Sequence, residues 1–332
     1  MKLLFEEAAQ NCYYPLATRV RKLKRWISQA ESARSSGDLD PFLNQYDKAE
    51  ELITFYAFAP LMLSLNRVGL TNRILSLVGV SAYEENVVNV ALEKQFSPPT
   101  GYLSWIRNEV KNHPVRYIRE QSIEHSKRNK NLESRTNVDA FIETDKLLIL
   151  FEVKYTSDIA NSTTFNPYRN QLARLVDVGL EEAKHSGKEV LVVLSSPSFF
   201  YESKSRLYYY KVQEYTSPLL IQKDIGWRSL SEIKDNVLAV RWVALEQLVS
   251  VLYKDFVHDD KKEALDFFEE RNLAIDNYLI TSSLTSKYLS RYFFEEKRKD
   301  EVVFYSLPST IFATGAFFFT DSIPFTHASL DM

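Results

Sequence analysis

The segment Leu147-Leu148-Ile149-Leu150-Phe151-Glu152-Val153-Lys154-Tyr155 decides the fold of this chain. It is apolar on both faces and is interrupted only by Glu152 and Lys154, which is typical of a central strand that is buried on both sides. Ionised groups in such a setting must be paired or bound to a metal. Successive strand residues point to opposite faces, so Glu152 and Lys154 share one face. The segment therefore predicts a buried strand whose two charges have a function.

A second strand precedes this segment and contains Asp139. If Thr144-Asp145 forms a two-residue turn, Asp139 lies opposite Leu150. Its carboxylate is then diagonal to Glu152 on the same face, with roughly 7 to 8 Å between the backbones. A three-residue loop would place Asp139 on the other face and break the arrangement. With the expected turn, the two carboxylates can share one divalent cation, and the ammonium of Lys154 lies beside them.

Periodicity and turn residues predict the elements around these strands. Ser81-Ala82-Tyr83-Glu84 has the spacing of a capping box and indicates the start of a helix. The expected helices are 81–96, 101–111, 166–184 and 259–296, and the expected strands are 115–124, 138–143, 147–155, 189–194, 207–215 and 238–242. The order from 101 to 194 is therefore helix, strand, strand, strand, helix, strand. We expect three parts: a helical N-terminal module (1–80), a central domain (81–258) and a C-terminal helical and hairpin extension (259–332).

Composition narrows the chemistry that this chain can perform. Of 332 residues, 45% are hydrophobic and 26% are charged, with a net charge of −3, which is typical of a folded protein without an overall nucleic-acid signature. A single Cys12 excludes an internal disulfide and favours a cytoplasmic protein. The eight glycines are too widely spaced for a G-x-G-x-x-G or P-loop motif, and the histidines form no H-E-x-x-H. Any chemistry must rest on carboxylates, lysine, tyrosine or amides.

Asp139, twelve intervening residues, and then Glu152-Val153-Lys154 resemble the PD-(D/E)XK nuclease superfamily, over about residues 81–196. The resemblance implies an α/β fold with a restriction-endonuclease-like αβββαβ core and a mixed central sheet, plus a helical N-terminal module and an α+β C-terminal extension. It implies that Asp139, Glu152 and Val153 hold Mg²⁺ or Mn²⁺ while Lys154 assists phosphodiester hydrolysis. Val138 stands where the family often has proline.

The same resemblance suggests further site residues. Many family members use a glutamate on the helix ahead of the sheet, and Glu85, followed by Asn86, is similar to the E-N-x-x-x-x-A-L helix of bacterial branches. Glu109, on the nearer expected helix, is the alternative. Gln171 resembles the glutamine on the helix after the central strand, and we expect it to hydrogen-bond in the site. Arg169 and Arg174 on that helix are the expected contacts with nucleic-acid phosphates.

The resemblance thus implies a Mg²⁺-dependent endonuclease or exonuclease of nucleic acid, with DNA favoured over RNA. By analogy with bacterial members it suggests a defence or restriction effector, either as a homodimer or with a partner protein. We expect no membrane association, since the apolar stretch 302–319 is interrupted by proline, glycine and hydroxyl residues. Two alternatives remain: a catalytically inactive module of the same fold that binds nucleic acid or protein, and a structural protein in which Glu152 and Lys154 only pair with each other.

Overall fold

The computed structural model describes residues 50–80, 86–128, 130–258, 261–269, 271 and 273. The helices in these residues are α1 (Glu50–Leu63), α2 (Arg67–Leu77), α3 (Thr100–Lys111), α4 (Arg116–Lys127), α5 (Gln171–Ser186), α6 (Ser198–Glu202), α7 (Leu207–Glu214), α8 (Pro218–Ile225), α9 (Leu230–Asn236), α10 (Leu245–Tyr253) and α11 (Lys261–Glu269). The strands are β1 (Val87–Phe96), β2 (Thr136–Thr144), β3 (Leu147–Val153), β4 (Glu189–Ser196) and β5 (Val237–Ala244).

The five strands form one mixed sheet in the order β1-β2-β3-β4-β5. β2 is antiparallel to both β1 and β3. β4 is parallel to both β3 and β5. The expected α/β class with a mixed central sheet is therefore confirmed. None of the helices in the described part of the chain is long and apolar enough to cross a membrane.

Helices cover both faces of the sheet, and β3 lies in the middle. Every side chain of β3 is buried. Ile149 and Phe151 on one face pack into a core shared with α1, α2, α10 and α11. Leu148 and Leu150 on the other face pack into a core shared with α5, α7, α8 and α9. The prediction of a central strand buried on both sides is thus confirmed, because each alternating set of β3 side chains has its own helical layer.

Two predictions near the start of the central domain are wrong, because a strand forms where we expected a helix and a helix forms where we expected a strand. The described residues of the expected helix 81–96 form strand β1, and the expected strand 115–124 forms helix α4. Apolar residues between 87 and 96 fit both periods, and pairing with β2 along the whole strand decides between them. In α4, good helix formers such as arginine, glutamate and glutamine outweigh the loose alternation of apolar residues.

The expected strand 207–215 is also wrong, since Leu207–Glu214 is helix α7. Its buried residues Tyr208, Val212 and Tyr215 recur at helical spacing, which explains the difference. The expected strands at 138–143, 147–155, 189–194 and 238–242 and the expected helix 101–111 are confirmed within a few residues. The helix expected at 166–184 begins later, at Gln171, because Asn170 caps it by accepting the N–H of Ala173.

The expected order of elements from 101 to 194 is wrong in its second member. The chain there runs α3, α4, β2, β3, α5 and β4, which is helix, helix, strand, strand, helix, strand, and the third antiparallel strand is β1, ahead of α3. Helices α3 and α4 are inserted between β1 and β2. Of residues 1–80, the described part contains helices α1 and α2. Of the expected C-terminal extension, the structure describes α11, and the remainder lies outside the described residues.

Candidate active site at the end of the central strands

Asp139 and Glu152 face each other across β2 and β3. The ladder between these strands pairs Ala140 with Phe151. One residue further along each strand, Asp139 and Glu152 occupy the next opposite positions, where Cβ atoms are typically about 4.5 to 5.5 Å apart. The backbone N–H of Val153 donates a hydrogen bond to Oδ2 of Asp139 at 2.7 Å. The register of two buried strands therefore holds the two carboxylates together.

The pairing of β2 with β3 differs from the expected pairing, because the turn between them lies one residue later. The two-residue turn lies at Asp145-Lys146, one residue later than the expected Thr144-Asp145. Thr144 stays in β2 because its hydroxyl accepts the backbone N–H of Leu147, the first residue of β3, at 2.8 Å. The residue across from Asp139 is therefore Glu152 and not Leu150. Because the loop still has two residues, the expected placement of both carboxylates on one face is retained.

Strand β1 brings a third carboxylate, Glu93, toward this pair. β1 and β2 pair on both sides of this residue, which places Glu93 across from Asp139. Its side chain is buried and accepts a hydrogen bond from the amide of Asn137. Its φ of 57° lies in the left-handed region, which is uncommon for glutamate and is often found at functional sites. Sequence reasoning missed Glu93 because it assigned this segment to a helix.

Lys154 follows β3 and contacts two carboxylates. Its Nζ lies 2.8 Å from Oε1 of Glu152 and 3.2 Å from Oε2 of Glu50. Its backbone N–H donates to the carbonyl of Ser195 on β4, at 2.8 Å. The ammonium is almost fully buried. Lys154 therefore lies beside the facing carboxylates, as the alternation along the strand predicts.

Glu50, at the start of α1, is a second site residue that sequence reasoning missed. Besides the contact with Lys154, its Oε1 accepts the backbone N–H of Tyr155 at 3.0 Å and the hydroxyl of Ser157 at 2.5 Å. No local pattern in the sequence indicates this contact, because 104 residues separate Glu50 from Lys154. The side chain of Glu109 is exposed on α3, and Glu85 lies outside the described residues. Within the described part, the glutamate on a helix that reaches the site is Glu50.

Gln171 also reaches the facing carboxylates. Its Nε2 donates to Oε1 of Glu152 at 2.6 Å, and its Oε1 accepts the N–H of Ala160 at 3.3 Å. Asn170, the cap of α5, fixes the start of this helix through contacts with Tyr215 (2.6 Å) and Asp224 (2.9 Å). Because its amide is held at both ends, Gln171 fixes the orientation of Glu152.

The two arginines expected at phosphates occupy different environments. Arg169 is fully buried, with Nε 2.7 Å from Glu133 and Nη2 2.7 Å from Asp177. Its guanidinium stacks 3.6 Å from the ring centroid of Tyr102. A phosphate could reach Arg169 only if this network opened. Arg174 is partly exposed, with its buried Nε 3.7 Å from Glu133, so only the exposed part of its guanidinium can meet a phosphate.

The electrostatics of the site are dominated by an excess of carboxylates. Burial, followed by repulsion from Glu152 and Glu93, raises the pKa of Asp139 well above its ordinary value. Burial also raises the pKa of Glu152, although Lys154 opposes the shift. Burial alone would lower the pKa of Lys154, but attraction to Glu152, Glu50 and Asp139 outweighs it, so that this pKa is raised. Lys154 is therefore a permanent cation at neutral pH, surrounded by more negative charge than it can neutralise.

The donor atoms suit a hard divalent cation. Glu152 Oε2 is buried and has no hydrogen-bond partner in the described part of the protein. Asp139 is half-buried, and its Oδ2 accepts the backbone N–H of Val153. Among the described residues, no three His, Cys, Asp or Glu side chains form a ready-made metal cage. Mg²⁺ keeps several waters and often takes only one or two protein carboxylates, so the facing oxygens of Asp139 and Glu152 fit it.

Comparisons with protein-family models, curated proteins and solved structures gave no match to this chain. The resemblance to the nuclease superfamily therefore depends on the residues and their geometry.

Proposed function

We propose that this protein is a Mg²⁺-dependent nuclease that hydrolyses phosphodiester bonds of nucleic acid, with DNA the favoured substrate. The proposed catalytic core is restriction-endonuclease-like, with α1 and α2, β1, β2, β3, α5 and β4 as its αβββαβ elements. A role in cytoplasmic defence or restriction is part of the proposal and depends on the resemblance alone.

The observation that carries the proposal is the facing of Asp139 and Glu152, with Lys154 Nζ 2.8 Å from Glu152. Burying several carboxylates around one ammonium costs stability, because each loses hydration and they repel one another. A divalent cation between Asp139 and Glu152 would remove that repulsion. Arrangements that cost folding stability are found mainly at functional sites, so this cluster of carboxylates is a candidate site for a cation.

The residues of the chain then have separate roles. A bound Mg²⁺ would supply the positive charge that activates water and stabilises a pentavalent phosphate. Asp139 and Glu152 would hold it, and Gln171 would orient Glu152. Lys154 remains protonated, so it is suited to donate a hydrogen bond to a phosphate oxygen or to orient water, and not to act as a general base. Glu50 holds the lysine in place.

The test is cleavage by purified protein of single-stranded DNA, double-stranded DNA and RNA, with Mg²⁺, with Mn²⁺ and with EDTA. We expect metal-dependent cleavage that is lost in Asp139→Ala and in Lys154→Ala. Asp235→Ala and Lys223→Ala, at exposed positions outside the site, are matched controls and should cleave normally. Circular dichroism should show that all four variants are folded.

Failure of the wild type to cut any substrate with either metal would overturn the proposal. Metal-independent binding of nucleic acid that survives loss of Asp139, Glu152 and Lys154 would support the alternative, a catalytically inactive module of the same fold.

A further inference from the structure

A polar groove with a cavity of about 540 Å³ lies beside the candidate active site. Its walls are the end of α4, the segment that leads into β2, and part of the loop between β3 and α5. The residues that decide its chemistry are His125, Lys130, Leu132, Arg135 and Phe165. A volume of this size lies within the range of roughly 300 to 1,000 Å³ of pockets that enclose small ligands.

The groove combines a cationic rim with an apolar floor. Lys130 and Arg135 are exposed at the rim, whereas Leu132 and Phe165 are buried. The ring of His125 stands edge-on to Phe165, with 5.2 Å between the ring centroids. A phosphate anion suits the rim, and a base can pack against the half-buried ring of His125, which Leu132 and Phe165 support from beneath.

Glu133 lines the groove but does not neutralise the positive charges of Lys130 and Arg135 at the rim. Glu133 is buried, and its carboxylate is 2.7 Å from Arg169 and 3.7 Å from Arg174. These two guanidinium groups neutralise it from the protein side. The side chains that carry charge at the exposed rim of the groove are Lys130 and Arg135, although the whole chain carries a net charge of −3.

The groove is connected to the candidate active site through two elements. Arg135 immediately precedes β2, so Asp139 lies four residues further along, or roughly 13 Å at the rise of an extended chain. Arg174 on α5 donates to the carbonyl of Arg135 at 3.3 Å. Gln171, one helical turn before Arg174, contacts Glu152. One strand and one helix thus connect the groove directly to the facing carboxylates.

We propose that this groove binds an unpaired nucleotide of a single-stranded nucleic acid, close to the phosphodiester that the facing carboxylates would cleave. The base packs against the half-buried ring of His125 above Leu132 and Phe165, and the flanking phosphates bind Lys130 and Arg135. A cavity of this size encloses one nucleotide but not a stacked base pair with both its backbones. The inference rests on the proposed function for its substrate class, and it adds where the strand binds and that the strand is unpaired.

Binding can be measured separately from cleavage by fluorescence anisotropy with a labelled oligothymidylate in EDTA. The double variant K130E/R135E removes the rim charge. K223E/K234E, at two exposed lysines on α8 and α9, makes the same change in net charge and is the matched control. We expect K130E/R135E to bind at least about tenfold more weakly. Its plot of log affinity against log salt should be shallower by about 1.4, since each lost contact with a single strand contributes about 0.7.

A third variant, His125→Ala, tests the floor without altering the rim. We expect it to reduce the preference for the single strand over a duplex of the same length, with little change in the salt dependence. Equal weakening by K130E/R135E and K223E/K234E would overturn the proposal, and so would tighter binding of the duplex by the wild type. Absence of binding by the wild type would overturn it as well.

The cleavage assay distinguishes this inference from the proposed function. Cleavage that is lost in Asp139→Ala but unaffected by K130E/R135E, together with unchanged binding, would leave the nuclease in place and overturn the groove. Weaker binding by K130E/R135E in a protein that cuts no substrate would support the groove and overturn the nuclease.

Discussion

Glu50 and Lys154 meet across the end of the central strand, although 104 residues separate them in the sequence. Oε2 of Glu50 lies 3.2 Å from Nζ of Lys154, and Oε1 accepts the backbone N–H of Tyr155 at 3.0 Å. The first residue of α1 is therefore fastened to the residues that leave β3. Because Lys154 also contacts Glu152, α1 fixes one side of the candidate active site.

We expect Glu50→Gln to lower the single-turnover rate of cleavage by about ten- to a hundredfold, the range typical of a residue that orients a site residue. The amide oxygen can still accept from Tyr155, but it no longer carries the charge that holds the ammonium of Lys154. KM should change less than kcat, because Glu50 is not placed to contact the substrate.

Glu109→Gln is the matched control, since Glu109 is an exposed glutamate on a helix inserted between β1 and β2. It should cleave at the wild-type rate. A large loss in Glu109→Gln with none in Glu50→Gln would assign the helix glutamate to α3 and contradict the role of Glu50.

Asp139→Asn should stabilise the metal-free protein at neutral pH while abolishing cleavage. The pKa of Asp139 is raised by burial and by Glu152 and Glu93, so ionised Asp139 weakens the fold above its unfolded pKa. The amide removes this charge and can still accept from Val153. We expect a higher free energy of unfolding than in the wild type, seen as a higher Tm.

The difference in stability between Asp139→Asn and the wild type should depend on pH. As pH falls below the raised pKa, folded wild type becomes protonated at Asp139, so its deficit relative to Asp139→Asn should shrink and should vanish near the unfolded pKa of aspartate. Thermal melts in EDTA at several pH values measure this difference. Added Mg²⁺ should raise Tm in the wild type and not in the variant. A variant that is less stable than the wild type at pH 7 in EDTA would show that the repulsion is absent.

Arg169→Ala and Arg174→Ala should behave in opposite ways. Loss of Arg169 leaves Glu133 and Asp177 buried without their shared partner, which typically costs about 3 to 5 kcal/mol. Loss of Arg174, a partly exposed side chain, should lower Tm little but weaken binding of nucleic acid. Urea denaturation and anisotropy in EDTA measure the two effects. Normal stability with weakened binding in Arg169→Ala would show that its network opens to admit a phosphate.

The central hairpin is the part of the fold that the sequence predicts best. A nine-residue apolar run that is interrupted by two charges on one face is typical of a strand buried on two sides. The facing of Asp139 and Glu152 survived a one-residue error in the turn, because the number of turn residues fixes the face. Lys154 and Glu152 share a face for the same reason.

Glu93 and Glu50 were beyond sequence reasoning for a different physical reason. The segment 87–96 fits a helix and a strand equally well by its own residues, and only the neighbouring strand β2 decides. The pairing of β1 with β2 is also what brings Glu93 opposite Asp139. Glu50 reaches Lys154 through the packing of α1 on the sheet, a contact over 104 residues, which local periodicity cannot reveal.

Glu246 is a buried carboxylate away from the facing pair. It lies in the first turn of α10 and is fully buried, and its oxygens accept the backbone N–H of Ser198 at 3.2 and 3.3 Å and the hydroxyl of Ser198 at 3.3 Å. Burial raises its pKa from 4.5 to about 7, although these donors oppose the shift. Its ionisation therefore weakens folding by an amount that grows as pH rises from 4.5 and is complete above about 7.

Glu246→Gln should gain stability over the wild type as pH rises. A carboxyl whose pKa is raised on folding binds a proton more tightly in the folded state, so its ionisation costs stability between the unfolded pKa of 4.5 and the folded pKa of about 7. The advantage of Glu246→Gln should grow through that window and reach roughly 3 kcal/mol above it. Urea denaturation from pH 4 to 8 measures it, and Glu189→Gln, at an exposed position, should show a flat difference. An equally flat difference for Glu246→Gln would mean that Glu246 keeps an ordinary pKa.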